Sequence, residues 1–394
     1  MRHAGGAERY VTALRDGLTA AGDEVRLLTS SAGSAGNGRA DYVAWSTGSR
    51  LAQSVLQLAN PWAAATARRA TRELAPDAVL VNMFANHLSP AVLAPLAGLP
   101  TLLLATDFKL VCPTFAKTLP GGATCRLPEG RACLREGCLG VAHWLREQPR
   151  YALLRRAARG AARVLACSAA VRRELERNGI PAEVVPLPVD PPGPAFRRAP
   201  AAAPRFVFSG RLATQKGIFL LLRAFARLRA EVPASRLRFV GDGPERAPLE
   251  RAIAEQGQGS AVEVVGWMPW ERVEDQLADA WALVAPTLGP EPLGLTALEA
   301  IVRGIPVVAT RNGGFLETVE EGRSGLLVGD GDEGDLLRAL RAVAGGAFPD
   351  HRVVPALVRE VRARHQPERH FAALRAILSA ELARPREAPC QVGE

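Results

Sequence analysis

Short apolar runs alternate along the whole chain with stretches whose apolar residues recur every three or four positions. In the first half the runs predict strands over 24–29, 42–45, 77–81, 100–105, 164–167 and 184–186. The periodic stretches between them predict helices over 8–21, 51–74, 88–96, 141–158 and 170–178. In the first of these, Val11, Leu14 and Leu18 share one face. The second half repeats the theme with strands over 206–209, 237–240, 262–265, 281–285, 305–309 and 325–328. Its first helix, 218–230, carries Leu221, Leu222, Phe225 and Leu228 as an apolar stripe. Alternation of this kind predicts parallel sheets covered by helices on both faces. Residues 186–204 hold seven prolines and no periodicity, which marks a linker. The expectation is therefore two doubly wound α/β domains facing one another, with ligands at the carboxyl ends of the strands in the cleft.

The opening Met1-Arg2-His3-Ala4-Gly5-Gly6 breaks this pattern, because it runs straight into a helix. A doubly wound domain places a central strand before such a glycine turn. Two readings follow: a start upstream of Met1, which is the expected one, or a first domain without its central strand.

Composition changes the picture little. Hydrophobic residues make up 48% and charged ones 23%, an ordinary globular balance. No apolar run nears the roughly 20 residues that span a bilayer, and no signal peptide is visible, so the expected location is the cytoplasm. The net charge is +9, yet of 49 basic residues only Lys109, Lys117 and Lys216 are lysines. That preference for arginine reads as a bias of composition. No basic stripe interleaved with aromatics points to nucleic acid. The basic run 150–163 suits either a solvated helix face or contact with anionic headgroups at the inner face of a membrane.

Four of the six cysteines, Cys112, Cys125, Cys133 and Cys138, fall in a Gly- and Pro-rich loop over 108–140, separated by 12, 7 and 4 residues. Three states are open to them: a structural zinc or iron site, reduced thiols, or a redox or disulfide role.

The candidate chemistry lies in the second half. The strand over 281–285 ends at Pro286 and leads into Gly289-Pro290-Glu291-Pro292-Leu293-Gly294-Leu295, with a helix predicted from Pro292. Glu291 stays in the loop and Glu299 falls inside the helix. The free N–H groups at the start of that helix suit a phosphate, which Gly294 lets approach. The strand over 206–209 runs into Gly210-Arg211-Leu212-Ala213-Thr214-Gln215-Lys216-Gly217, whose two cations could neutralise a diphosphate leaving group. Asp330-Gly331-Asp332 has the look of a metal-binding DxD, but its place before a helix makes Asp332 a cap.

Gly5-Gly6-Ala7-Glu8, Gly210-Arg211 with Lys216-Gly217, Gly241-Asp242-Gly243-Pro244, Glu291 with Glu299, and Ala309-Thr310-Arg311-Asn312-Gly313-Gly314 followed by Glu317 resemble, in order and spacing, the retaining GT-B glycosyltransferases of group 1 (GT4). The resemblance covers almost the entire chain. It implies a GT-B fold of two facing Rossmann-like domains, here 1–190 on the acceptor side and 205–365 for the nucleotide sugar. It also implies that the helix over 366–384, with its stripe of Phe371, Leu374, Ile377 and Leu378, crosses back onto the first domain.

By the same resemblance, Arg211 and Lys216 hold the donor diphosphate with the amides of Gly294 and Leu295. Glu299 binds ribose hydroxyls, Glu291 the donor sugar, and Trp267 with its loop borders the base. Gly5 and Gly6 let the first helix approach the phosphate or the acceptor. The implied reaction moves a sugar from a UDP- or GDP-sugar to a glycan, lipid-linked or small-molecule acceptor with retention and without a metal cofactor. A sugar-nucleotide epimerase or an inactive sugar-nucleotide-binding subunit are the alternatives. Two departures stand out. Thr106-Asp107 replaces the His-Asp of many relatives and leaves Asp107 as the candidate general base. Pro186-Leu187-Pro188-Val189-Asp190 replaces their Pro-Asn-Gly-Val-Asp.

Overall fold

The computed structural model of the chain describes residues 6–32, 40–82 and 84–384. Twelve strands are found among them: β1 Leu28–Ser30, β2 Tyr42–Ala44, β3 Val79–Asn82, β4 Thr101–Ala105, β5 Arg163–Ala166, β6 Glu183–Val184, β7 Arg205–Ser209, β8 Arg236–Val240, β9 Val262–Gly266, β10 Ala282–Ala285, β11 Val307–Thr310 and β12 Gly325–Val328. Every pairing between them is parallel. The second half forms one six-stranded sheet in the order β12-β11-β10-β7-β8-β9. The direction of winding reverses between β7 and β10, and their carboxyl ends open the crevice where such sheets bind ligands. All residues of β10 and β11 are buried, as strands covered on both faces must be.

The first half is divided. The chain forms a two-stranded sheet β1-β2 and a separate four-stranded sheet β3-β4-β5-β6. The place between β1 and β3, where a central strand would complete the winding, holds no strand among the described residues. The opening helix Gly6–Ala20 instead lays Tyr10, Leu14 and Leu18 against Leu102 and Leu104 of β4 and Leu165 of β5.

Three helix expectations need correction. The stretch 51–74 is two helices, Arg50–Leu56 and Pro61–Leu74. Asn60 caps the second by accepting from the Ala63 N–H at 3.1 Å, and Pro61 takes its first position. Pro90–Leu96 is a 3₁₀ helix, because Pro90 and Pro95 withhold amide donors. The helix after β10 starts at Leu295, not Pro292. The basic run is corrected too: Arg150 is fully buried, bonded to Glu147 at 2.7 Å and to the Ala85 carbonyl at 2.8 Å. Asp332 does cap its helix, accepting from the Asp335 N–H at 2.8 Å.

Helices cover both faces of the large sheet. Ile218–Glu231 and Glu333–Ala344 bury Leu221, Phe225, Leu336 and Leu340 beneath it. The last helix, Pro367–Leu382, lies against the opening helix, with the Phe371 ring over Gly17 and Leu374 fully buried beside Leu14. No helix among the described residues is long and apolar enough to cross a membrane.

Candidate active site

The loops after β7 and β10 meet at the crevice. A single 3₁₀ turn, Thr214–Lys216, lifts Lys216 so that its Nζ lies 2.6 Å from Glu291 Oε2. The Thr287 hydroxyl donates to the same oxygen at 3.3 Å. Arg211, on the same loop, is exposed. Both cations thus border open solvent, where an arriving anion would compete with Glu291 for the ammonium.

Gly294 sits in the left-handed region at φ 80°. A Cβ there would stand 2.5 Å from the Phe315 ring, so the turn into the helix Leu295–Ile301 requires glycine. The loop is further pinned by the Gly314 N–H, which donates to the Glu291 carbonyl at 2.7 Å. Lys216, Glu291, Gly294 and Leu295 therefore stand on loops that meet at one crevice.

Glu299 lies deeper, only 4% exposed, and its carboxylate is held by Arg9 of the opening helix at 2.5 Å. Burial raises its pKa, and the Arg9 charge offsets that only in part. The Arg9 guanidinium also stands 4.3 Å from the Trp270 ring centre, and that of Arg303 stands 5.0 Å from it. Arg303, buried, bonds Glu274, which in turn accepts from the Gly193 N–H of the linker. Sequence reasoning missed Arg9 and Trp270. A single arginine in an arginine-rich chain carries no signal, and its partner lies 290 positions away.

The two halves touch around this loop. Ser168, at the end of β5, caps the helix Ala169–Arg177 and donates its hydroxyl to the Pro292 carbonyl at 2.5 Å. Glu317 accepts from the Ala169 and Ala170 N–H groups at 2.8 and 2.7 Å, so a second-half carboxylate caps a first-half helix. Asp107 stands after β4 and bonds within its own turn, to Lys109 Nζ at 2.9 Å and to the Lys109 N–H at 2.9 Å. Trp267, after β9, is 41% exposed. Gly5 lies outside the described residues, and Gly6 is the first residue of the opening helix. All three lysines of the chain are paired with carboxylates, Lys117 with Glu174 at 2.8 Å.

The four loop cysteines line a common small cavity, and burial pushes the Cys133 and Cys138 thiols up. As the side chains stand, no group of three or more His, Cys, Asp or Glu among the described residues is arranged to hold a metal ion.

Two parallel-sheet α/β halves that meet at a crevice make up the GT-B class of fold. Solved structures share it. Sucrose-phosphate synthase from Thermosynechococcus elongatus superposes with a TM-score of 0.72 at 21% identity, covering 96% of this chain and 94% of that one. Anabaena Alr3699/HepE in complex with UDP and glucose gives 0.70 at 18% identity, covering 95% and 96%.

The family follows from sequence. The model for group 1 glycosyl transferases matches residues 195–346, and that for glycosyltransferase family 4 matches residues 4–192. The chain belongs to this group 1, family 4 type of glycosyltransferase. It is 36% identical over 160 residues to the GDP-mannose-dependent alpha-(1-6)-phosphatidylinositol monomannoside mannosyltransferase of Mycolicibacterium smegmatis, covering 39% of this chain and 41% of that one. It is 37% identical over 173 residues to the D-inositol 3-phosphate glycosyltransferase of Nocardioides sp., covering 40% and 38%. The matches thus span about two fifths of the length of these curated relatives.

Proposed function

We propose that the chain transfers a hexose-type sugar from a UDP- or GDP-sugar to a glycan, lipid-linked or small-molecule acceptor, with retention at the anomeric carbon. The observation that carries this reading is the Lys216–Glu291 pair at the carboxyl ends of β7 and β10, beside the exposed Arg211. An incoming diphosphate takes Lys216 and Arg211 as counter-charges, helped by the amides of Gly294 and Leu295, and frees the Glu291 carboxylate for the sugar. Cleavage of the bond between the anomeric carbon and the diphosphate oxygen leaves its electron pair on the diphosphate, where the two cations stabilise it. The acceptor oxygen then bonds to the anomeric carbon on the same face, Glu291 stabilises the positive centre, and the acceptor proton passes to Asp107 or to the departing phosphate.

On this reading Lys216 and Arg211 supply the positive charge that the departing diphosphate needs, without a catalytic metal. Trp267 borders the base. Glu299 holds the ribose once Arg9 yields, which couples donor entry to movement of the opening helix. The units are 1–190, 205–365 and the closing helix 366–384. The name of one relative, the lipopolysaccharide core biosynthesis glycosyltransferase LpsE of Rhizobium meliloti at 33% identity over 36% of this chain, favours a cell-envelope acceptor.

A panel of labelled UDP- and GDP-sugars, offered with envelope lipids and glycans, tests the reading. It predicts nucleoside diphosphate release from one donor and label in one acceptor with its anomeric configuration kept. Epimerised donor without transfer, or donor binding without turnover, would overturn it.

A further inference from the structure

The segment from Thr114 to Cys138 spans 25 residues, and among them only Lys117 is buried. Its regular structure is one five-residue helix, Arg131–Arg135, and one antiparallel bridge, Thr118 to Thr124. A stretch of that length with no buried apolar side chain does not hold its shape by hydrophobic packing. Yet it brings Cys112, Cys125, Cys133 and Cys138 around one cavity of about 20 Å³, shared with Val111, Lys117 and Leu139. Cys112 comes from the turn after β4, Cys125 from the exit of the Thr118–Thr124 hairpin, and Cys133 and Cys138 from the short helix and its end. The volume suits one small ion.

We propose that these four cysteines hold a single structural zinc ion that staples this loop. Four thiolates are the donor set that selects zinc over hard cations, and a closed set of four makes a structural site, not a catalytic one. As they stand the thiols form no metal-holding group, so ligation requires them to turn about their Cα–Cβ bonds onto the cavity they line. Each gives up its proton on binding. The four thiolates and the ion then carry a net charge of minus two, and the buried Lys117 ammonium on the cavity wall partly balances it. Lys117 is itself fixed by Glu174 and by the Leu127 carbonyl, both at 2.8 Å.

The staple has a consequence at the crevice. Thr118 packs against Gly289, leaving no room there for a side chain. The Thr124 hydroxyl accepts from Asn312 Nδ2 at 2.6 Å. Both contacts fall on second-half loops beside Glu291, so the zinc-held loop forms the first-half wall of the crevice. The proposal stands independently of the reaction catalysed.

Elemental analysis of the purified full chain, expressed in zinc-supplemented medium, is the test. About one zinc per chain is expected, retained on dialysis and released when a mercurial blocks the thiols. Cys133→Ser/Cys138→Ser loses the metal, and proteolysis between residues 114 and 138 rises at least about tenfold as the loop opens. If that variant does not fold, the mercurial release and the proteolysis of chelator-treated wild type carry the test alone. Metal-free protein with freely reacting thiols, disulfides found by mass, or iron in place of zinc would overturn the proposal.

Discussion

The two halves of the molecule solve the same winding in different ways. In the second half, six parallel strands form one sheet, and the loops at its carboxyl edge are held by close backbone contacts such as the Gly314 N–H on the Glu291 carbonyl. In the first half, the sheet is split between β1 and β3, and its carboxyl edge is completed by a long loop with almost no buried side chain. The comparison teaches where precision is located. The loops that carry Glu291 and Gly294 are pinned by backbone contacts, whereas the first half is joined to them by side-chain ties: Arg9 on Glu299, Ser168 on the Pro292 carbonyl and Glu317 on the helix after β5.

The largest effect should come where the second half grips the linker. Glu274→Ala leaves the Arg303 guanidinium buried without its carboxylate, and denaturant unfolding should show a loss of about 3–5 kcal/mol. A loss under about 1 kcal/mol would mean that this grip adds nothing to the rigidity of the second half. Next comes the chemistry itself. Lys216→Ala should lower kcat/KM on the order of 10²-fold, a barrier rise of about 3 kcal/mol, with little change in stability. Wild-type kinetics would remove the lysine from the site.

A smaller effect concerns the closing helix, which joins the halves. The His370 ring is held between the Tyr10 hydroxyl at 2.9 Å and the Pro186 carbonyl at 2.8 Å. Its neutral form, with Nδ1–H donating to Pro186 and Nε2 accepting from Tyr10, satisfies both partners. Burial holds it down at about 4, and neighbouring His365 also disfavours its charge. The unfolded chain binds the proton from about pH 6.5 downward, so this stability is present above about pH 6.5 and lost as pH falls toward about 4. Between pH 7 and 5 the loss is on the order of 2 kcal/mol, and His370→Gln should flatten it. An unchanged pH profile in that variant would assign the titration elsewhere. Smallest is Phe371→Ala. The half-buried ring over Gly17 contributes about 1–2 kcal/mol, read as a drop in Tm, and its loss should also raise the donor KM. An unchanged KM would separate the closing helix from donor binding.

The strands were legible because parallel strands buried on both faces are continuous apolar runs, as in Leu283-Val284-Ala285. The break at Asn60-Pro61 was missed: a cap followed by a first-turn proline encodes it, but the periodicity on either side reads as one helix. Lys216, Glu291 and Gly294 could be assigned to one crevice because each follows a strand of one sheet at its carboxyl end. The Arg9–Glu299 tie was not legible. It depends on how the helix Gly6–Ala20 docks on the second half, and side-chain type alone says nothing of that. The cysteine spacing announces a cluster, but their convergence depends on the hairpin at Thr118 and Thr124, which the loop's composition hides.

The central claim is that the crevice between β7 and β10 grips a nucleoside diphosphate. Calorimetric titration of UDP and GDP into wild type, Lys216→Ala and Glu299→Gln tests it most directly. The account predicts that one of the two nucleotides binds wild type and that each substitution weakens it at least about tenfold, roughly 1.4 kcal/mol. Binding of neither nucleotide, or equal affinity in all three proteins, would contradict it.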